Sequence, residues 1–290
     1  MYGFNKLFKW QFYLPEPNTL FTTLGNTYRD LLYWSTMGSS HSYNIFLGLT
    51  EIIAAVLLFF RRTRIAGSLL AIGILVNIVM VNFSFDISVK VYSLFLLLLA
   101  VVIAVPDGKR LSSFFFNVPA GNLIINTQPA PTAKYFRWLK AAVILYVFAS
   151  VLYVYIKSEN YNDDLARRPP FHGAYEVELF INGGDTIPPL ITDSYRWRRV
   201  FVHRQGYVII QGMNDGMQDY LFVADTINRK WIMKNESTGK ESEFLFSDEN
   251  GKDVILRSAP GPDSLIIYLS KIDLSSLPLL QKEFNWTIDP

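Results

Sequence analysis

Residues 44–105 read NIFLGLTEIIAAVLLFFRRTRIAGSLLAIGILVNIVMVNFSFDISVKVYSLFLLLLAVVIAV, three apolar runs separated by two short polar turns. The runs are Asn44–Phe60, Ile65–Phe83 and Val89–Val105, and a fourth follows at Trp138–Ile156. Each is about long enough to cross a hydrocarbon core of roughly 30 Å at 1.5 Å per residue. Arg61-Arg62-Thr63-Arg64 is too short a connection for anything but an antiparallel return, and residues 82–88 make the next turn. Pro106-Asp107-Gly108 is expected to end the third helix, because proline cannot continue it and glycine favours a turn. A longer loop over 109–137, holding Pro119, Gly121, Pro129 and Pro131, then leads to the fourth span.

Beyond residue 172 the apolar period changes to two. Tyr175, Val177, Leu179 and Ile181 alternate with Glu176 and Glu178, the pattern of a strand with one wet face. Further strands are expected at 197–203, 207–212, 218–224, 230–234, 241–246, 253–257, 265–272 and 284–288. Asn182-Gly183-Gly184-Asp185, Asn214-Asp215-Gly216, Glu249-Asn250-Gly251 and Pro260-Gly261-Pro262 supply the turns between them. The expected fold class is therefore a membrane α-helical bundle of about four transmembrane helices followed by an all-β domain. An up-and-down meander barrel leaves no open edge, and a two-sheet sandwich is the alternative. The domain reading is an aromatic interfacial segment over 1–43, a helical domain over 44–156 and a linker over 157–172. A water-soluble β domain covers 173–290. Asp30–Trp34 reads as a short interfacial helix or as a loop packed over the helix ends.

Composition narrows the chemistry. The 290 residues carry a formal charge of only +2, too little for a nucleic-acid partner. With no cysteine there is no disulfide, thiol redox pair or thiolate metal site. The three histidines, His41, His172 and His203, all lie outside the apolar runs, so no bis-histidine haem spans the bundle. Met1–Trp10 lacks the apolar core and cleavage site of a signal peptide, which makes the first span the expected insertion signal. The acidic turn at 248–253 lacks the ordered ligand positions of a calcium loop and reads as a hairpin turn. Asn235-Glu236-Ser237 and Asn285-Trp286-Thr287 match the glycosylation sequon. No nucleophile elbow, HExxH, phosphate-binding loop or dinucleotide fingerprint occurs, and no catalytic or metal-binding residue is assigned.

Orientation follows from the basic residues. Arg61, Arg62, Arg64, Lys109, Arg110, Lys134, Arg137 and Lys140 mark the expected cytoplasmic side, which places the β domain outside the cell or inner membrane. Lys6, Lys9 and Arg29 oppose that assignment, as expected of a chain that has lost an upstream helix. An ionisable group inside lipid is a functional candidate by default. Glu51 stands out, seven residues into the first run and roughly 10 Å from its outer end. Asn77, Asn82, Asp86 and Lys90, with Thr50 and Ser93, fall on the same outer half. Asp86 and Lys90 also fit a plain i,i+4 ion pair, or a helix cap with a snorkelling lysine. Asn77 and Asn82 also fit amide contacts between helices, and Glu51 a bond to Asn77 or to backbone. Trp197, Arg198, Arg199 and His203 form a basic, aromatic strand that reads as a ligand mouth or as a solvated face.

The N-terminal half resembles the DoxX-like family of small membrane proteins. The resemblance rests on Gly3-Phe4-Asn5-Lys6, on Gly48-Leu49-Thr50-Glu51, on the Arg61-Arg62-Thr63 turn, and on Asn82–Lys90 leading into Val91–Val105 and Asp107–Leu111. It covers roughly residues 1–118. It implies a helix upstream of Gly3, a membrane bundle, and at most association with a quinone or lipid, with Lys6 and Glu51 at the family's polar positions. Three functions follow as expectations. One is a non-enzymatic scaffold or accessory protein embedded in the lipid bilayer, whose outer β domain binds another membrane or envelope protein. The second is an accessory subunit of a quinone-linked oxidoreductase. The third is a carrier whose barrel holds a lipophilic ligand.

Overall fold

Apolar helices and alternating strands do form, and they segregate. The computed structural model describes residues 1–116, 134–249 and 253–281. The expected strand 284–288, the sequon at Asn285, most of the loop 109–137 and the tip of the 249–251 turn lie outside the described residues. The chain divides into two compact units, Met1–Leu14 with Tyr28–Ala166, and Pro15–Thr27 with Arg167–Pro290.

The first unit is helical. It contains α1 (Tyr2–Leu7), α3 (Arg29–Ser39), α4 (His41–Leu58), α5 (Arg64–Ser84), α6 (Lys90–Ala104), α7 (Gly108–Phe115) and α8 (Lys134–Ser158). Four helices, His41–Leu58, Arg64–Ser84, Lys90–Phe115 and Trp138–Leu165, are long and apolar enough to cross a membrane. Their surfaces expose Phe46, Val91, Phe95, Leu98, Leu145 and Tyr146, side chains that water would not tolerate in such density. This is a membrane protein.

Two helix boundaries and the start of one loop differ from the expectation. α4 begins at His41, where the Ser40 hydroxyl accepts from the backbone N–H of Tyr43 and caps the helix. α6 ends at Ala104, as expected, with Pro106 in the first turn of a 3-10 segment, Val105–Asp107, where its missing N–H costs nothing; the expected loop instead opens with α7. α8 begins four residues earlier than expected and continues to Ser158.

The N-terminal 43 residues are not one interfacial segment. α1 packs against α4, with Gly3 and Gly48 at the crossing. A Cβ on Gly48 would stand 2.5 Å from the Gly3 carbonyl oxygen, and one on Gly3 2.7 Å from the Gly48 carbonyl oxygen. Only glycine admits that approach. Lys9, fully buried, donates to the Gly38 carbonyl and pairs with Asp164 at 3.0 Å. Asp164 also accepts from the Leu14 N–H at 2.7 Å, so the N-terminal segment is tied to the chain just beyond α8.

The second unit is a closed, eight-stranded antiparallel barrel. Its staves are β1 (Gly173–Asn182), β3 (Trp197–Val202), β4 (Tyr207–Gly212), β5 (Met217–Asp225), β6 (Lys230–Lys234), β7 (Glu241–Glu249), β8 (Asp253–Ser258) and β9 (Leu265–Lys271). Each pairs with the next in sequence and β9 closes on β1, which confirms the meander over the sandwich. The two-residue β2 (Asp185–Thr186) extends β1 through a turn in which Gly183 and Gly184 take positive φ. The interior is filled by residues from all eight staves, among them Tyr175, Phe180, Val200, Val208, Phe222, Trp231, Phe244, Leu256 and Ile267.

One stave departs from simple alternation. The β1–β9 register shifts between Val177 and Leu179, so Tyr175, Val177 and then Phe180 point inward, in place of Leu179 and Ile181. A single extra residue exchanges the faces of everything beyond it. The carbonyl of Val177 at the bulge accepts from buried Arg196 Nη2 at 3.1 Å.

Candidate functional site

A cavity of about 420 Å³ lies inside the helical unit, lined by side chains from α1, α3, α4, α5, α6 and α8. Its wall is mostly aliphatic and aromatic, including Phe12, Tyr33, Trp34, Ile78, Tyr92 and Phe148. Within that wall Lys6 Nζ donates to Glu51 Oε1 at 2.7 Å, and the two side chains are 8% and 16% exposed. Lys6 and Glu51 each stand three residues beyond a crossing glycine, Gly3 and Gly48. The glycines therefore permit the helix approach that the ion pair requires. The Phe12 ring centre lies 5.6 Å from Lys6 Nζ, a cation–π distance. Two of the three ammonium donors have no protein acceptor among the described residues.

Glu51 is the eleventh residue of an 18-residue helix, about 15 Å from its first turn and near mid-span. The extra turn at His41 accounts for the difference from the expected depth. Asn82 and Ser93 also line the cavity, joined across α5 and α6 by a hydrogen bond of 3.0 Å from Asn82 Nδ2 to Ser93 Oγ.

The remaining sequence candidates do not join this site. Asn77 is exposed on the outer surface of α5, because it lies five residues, and hence about 140° of helix rotation, before Asn82. Asp86 and Lys90 form an i,i+4 pair at 2.6 Å in the turn before α6, with Asp86 81% exposed and no cap bond made to the helix. Thr50 bonds back to the Phe46 carbonyl and is exposed. In the barrel, Arg198 pairs with Asp215 at 2.5 Å and Arg199 with Glu176 at 2.6 Å, while Trp197 packs on the core. Two of the strand's cations are thus ion-paired, as on a solvated face.

A second polar cluster, in the barrel unit, has no counterpart as a cluster among the residues singled out from the sequence. Glu16, just before the short α2 (Pro17–Leu20), is 4% exposed and sits among residues distant in the chain. Arg204 Nε donates to its Oε1, His172 Nε2 lies 3.2 Å and His203 Nε2 3.7 Å from its Oε2, and the Arg204 N–H donates at 3.3 Å. Burial pushes the carboxyl up. The His172 hydrogen bond and the Arg204 and His203 charges outweigh it and bring the pKa down to about 2. Burial pushes His203 below its ordinary range, against the pull of Glu16. Phe21, further along this strap, stacks on Phe201 at 5.5 Å and lies under the Arg199 guanidinium at 4.8 Å. The strap thus covers an apolar patch on the outside of the barrel.

Fold and site together define a membrane-embedded helical bundle with an ion-paired cavity between its helices and a filled β-barrel domain. No family model matches the chain, and no solved structure matches it. An 86-residue stretch is 37% identical to the uncharacterized protein YwoB of Bacillus subtilis (strain 168); it spans 30% of this chain and 56% of that protein.

Proposed function

We propose that this chain is a non-enzymatic accessory protein whose helical unit binds a lipophilic molecule through a polar head group. The observation that supports it most is the Lys6–Glu51 pair set in an apolar cavity at mid-span. A charged pair there is costly unless something uses it. Lys6 offers two donors to an acceptor oxygen, and the aromatic and aliphatic wall suits a ring with a short apolar tail. A quinone has that chemistry, in agreement with the DoxX-like resemblance at Lys6 and Glu51. In this reading an electron carrier, if one operates, belongs to a partner.

The barrel is then a platform for another membrane or envelope protein, on the extracytoplasmic side that the basic turn at Arg61–Arg64 favours. Carriage of a ligand inside the barrel is the weaker reading, because large side chains already occupy the interior.

The test is binding by the full-length protein in nanodiscs, titrated with decylubiquinone and followed by quenching of tryptophan fluorescence. Saturable quenching is expected, weakened on the order of tenfold in Lys6→Met, as befits loss of a charge-assisted hydrogen bond. Glu51→Gln keeps the shape of the site and serves as the milder variant. Absence of saturable quenching, or equal affinity in all three proteins, overturns the proposal.

A further inference from the structure

We infer that the end of the bundle carrying Arg61–Arg64 and α7 binds the phosphate-bearing head groups of anionic phospholipids in the surrounding leaflet. Asp107 is the structural centre of this end. Its Oδ2 accepts from Arg64 Nη2 at 2.7 Å and its Oδ1 from Arg110 Nη1 at 3.4 Å, with the carboxylate 10% exposed. One acid thereby ties the start of α7 to the start of α5. Lys140 Nζ donates to the Phe59 carbonyl, which brings α8 to the same end of α4.

Six cations gather here, Arg61, Arg62, Arg64, Lys109, Arg110 and Lys140. Asp107 is the only acid in the segments that carry them. Among the described residues, no further acid neutralises the excess of five. Arg61, Arg62 and Lys109 are exposed and have no protein partner among the described residues, and Arg64 Nε is buried without an acceptor.

α7 adds an independent observation. Leu111, Phe114 and Phe115 fall on one face at i, i+3 and i+4, and Lys109, Ser112 and Ser113 on the other. Phe114, Phe115 and the adjoining Phe116 are 78%, 64% and 77% exposed. A short basic and aromatic amphipathic helix, joined to the end of α6 by the Val105–Asp107 turn, is held by that covalent link at the boundary between head groups and acyl chains. Its phenyl rings reach acyl chains while the adjacent cations meet phosphate. The shortage of acceptors and the surplus of positive charge both call for an anion, and the leaflet supplies one at that depth. A positive-inside signal alone would require charge, but neither the rigid Asp107 joint nor the aromatic face.

The experiment purifies the full-length protein after exchange into a 3:1 mixture of phosphatidylcholine and phosphatidylglycerol, and measures the retained lipid by mass spectrometry. The wild type should hold phosphatidylglycerol enriched on the order of fivefold over the bulk ratio, the factor expected for one additional cation–lipid contact. Arg61→Gln/Arg62→Gln/Lys109→Gln should return it to near the bulk ratio, and Lys157→Gln, outside the cluster, should leave it unchanged. Raising the salt concentration on the wild type should erode the enrichment without any substitution, which serves if the triple variant does not fold. Retention at the bulk ratio by the wild type, or the same enrichment in the triple variant or at high salt, overturns the inference.

Discussion

Replacing Glu16 by glutamine removes one negative charge from a site that holds Arg204, His172 and His203 around it, while preserving the side-chain shape. A carboxyl brought from 4.5 to about 2 contributes roughly 3 kcal/mol at neutral pH to the state in which it is paired. Glu16 is 4% exposed, so little of this is lost to solvent screening. The contribution has a defined pH window. A depressed acid stabilises above its unfolded value of 4.5, and the effect fades as the pH falls from there through about 2. His203, depressed as well, favours the folded state in its neutral form, so its share is present above about 6.5 and declines below that. The assay is hydrogen exchange of the full-length protein at the strap amides of Leu20, Phe21 and Thr22, which donate to the carbonyls of Glu16, Asn18 and Thr19. Local opening at neutral pH should be on the order of a hundredfold more frequent in Glu16→Gln, and the gap should narrow steadily below pH 4.5. Exchange within threefold of wild type at neutral pH, or a gap that does not close on acidification, would refute the claim that the carboxylate fastens the strap.

The bundle allows three further tests. For Lys6→Met and Glu51→Gln, each single change leaves the other charge unpaired and should lower stability in detergent by about 3 kcal/mol, whereas the double variant should recover most of it. Strict additivity in denaturation would show that the two groups act independently. Gly48→Leu forces a side chain onto the Gly3 backbone 2.5 Å away. It should separate α1 from α4 and abolish the Lys6–Glu51 coupling, and unchanged coupling in the same cycle would contradict the crossing. For orientation, single cysteines at Ser237, exposed in a barrel turn, and at Ser113 in α7 are labelled with an impermeant maleimide in intact cells, without background because the chain has no cysteine. Labelling at Ser237 alone is expected, and labelling at Ser113 alone would reverse the orientation.

The division of the chain into apolar helices and alternating strands was legible because it depends on local periodicity, which the backbone of each element imposes on its own residues. The four spans, the tight Arg61–Arg64 turn and the positions of the staves follow from that pattern, and a meander of short turns leaves closure as the economical arrangement. Three things required tertiary structure. The bulge after Val177 comes from pairing across β1 and β9, and one residue there reverses which side chains form the core. The helical phase of residue 77 points it outward and that of residue 82 inward, a choice between two asparagines that chemistry alone does not make. Two ion-paired sites unite residues far apart in the chain, Lys6 with Glu51 and Glu16 with Arg204, His172 and His203. The resemblance pointed to Lys6 and Glu51 separately, but their contact depends on two glycines letting backbones meet. Glu16 carried no signal, since a lone glutamate before a proline has no local mark of burial. Its role arises from the placement of a strap against a barrel whose cations lie more than 150 residues further along the chain.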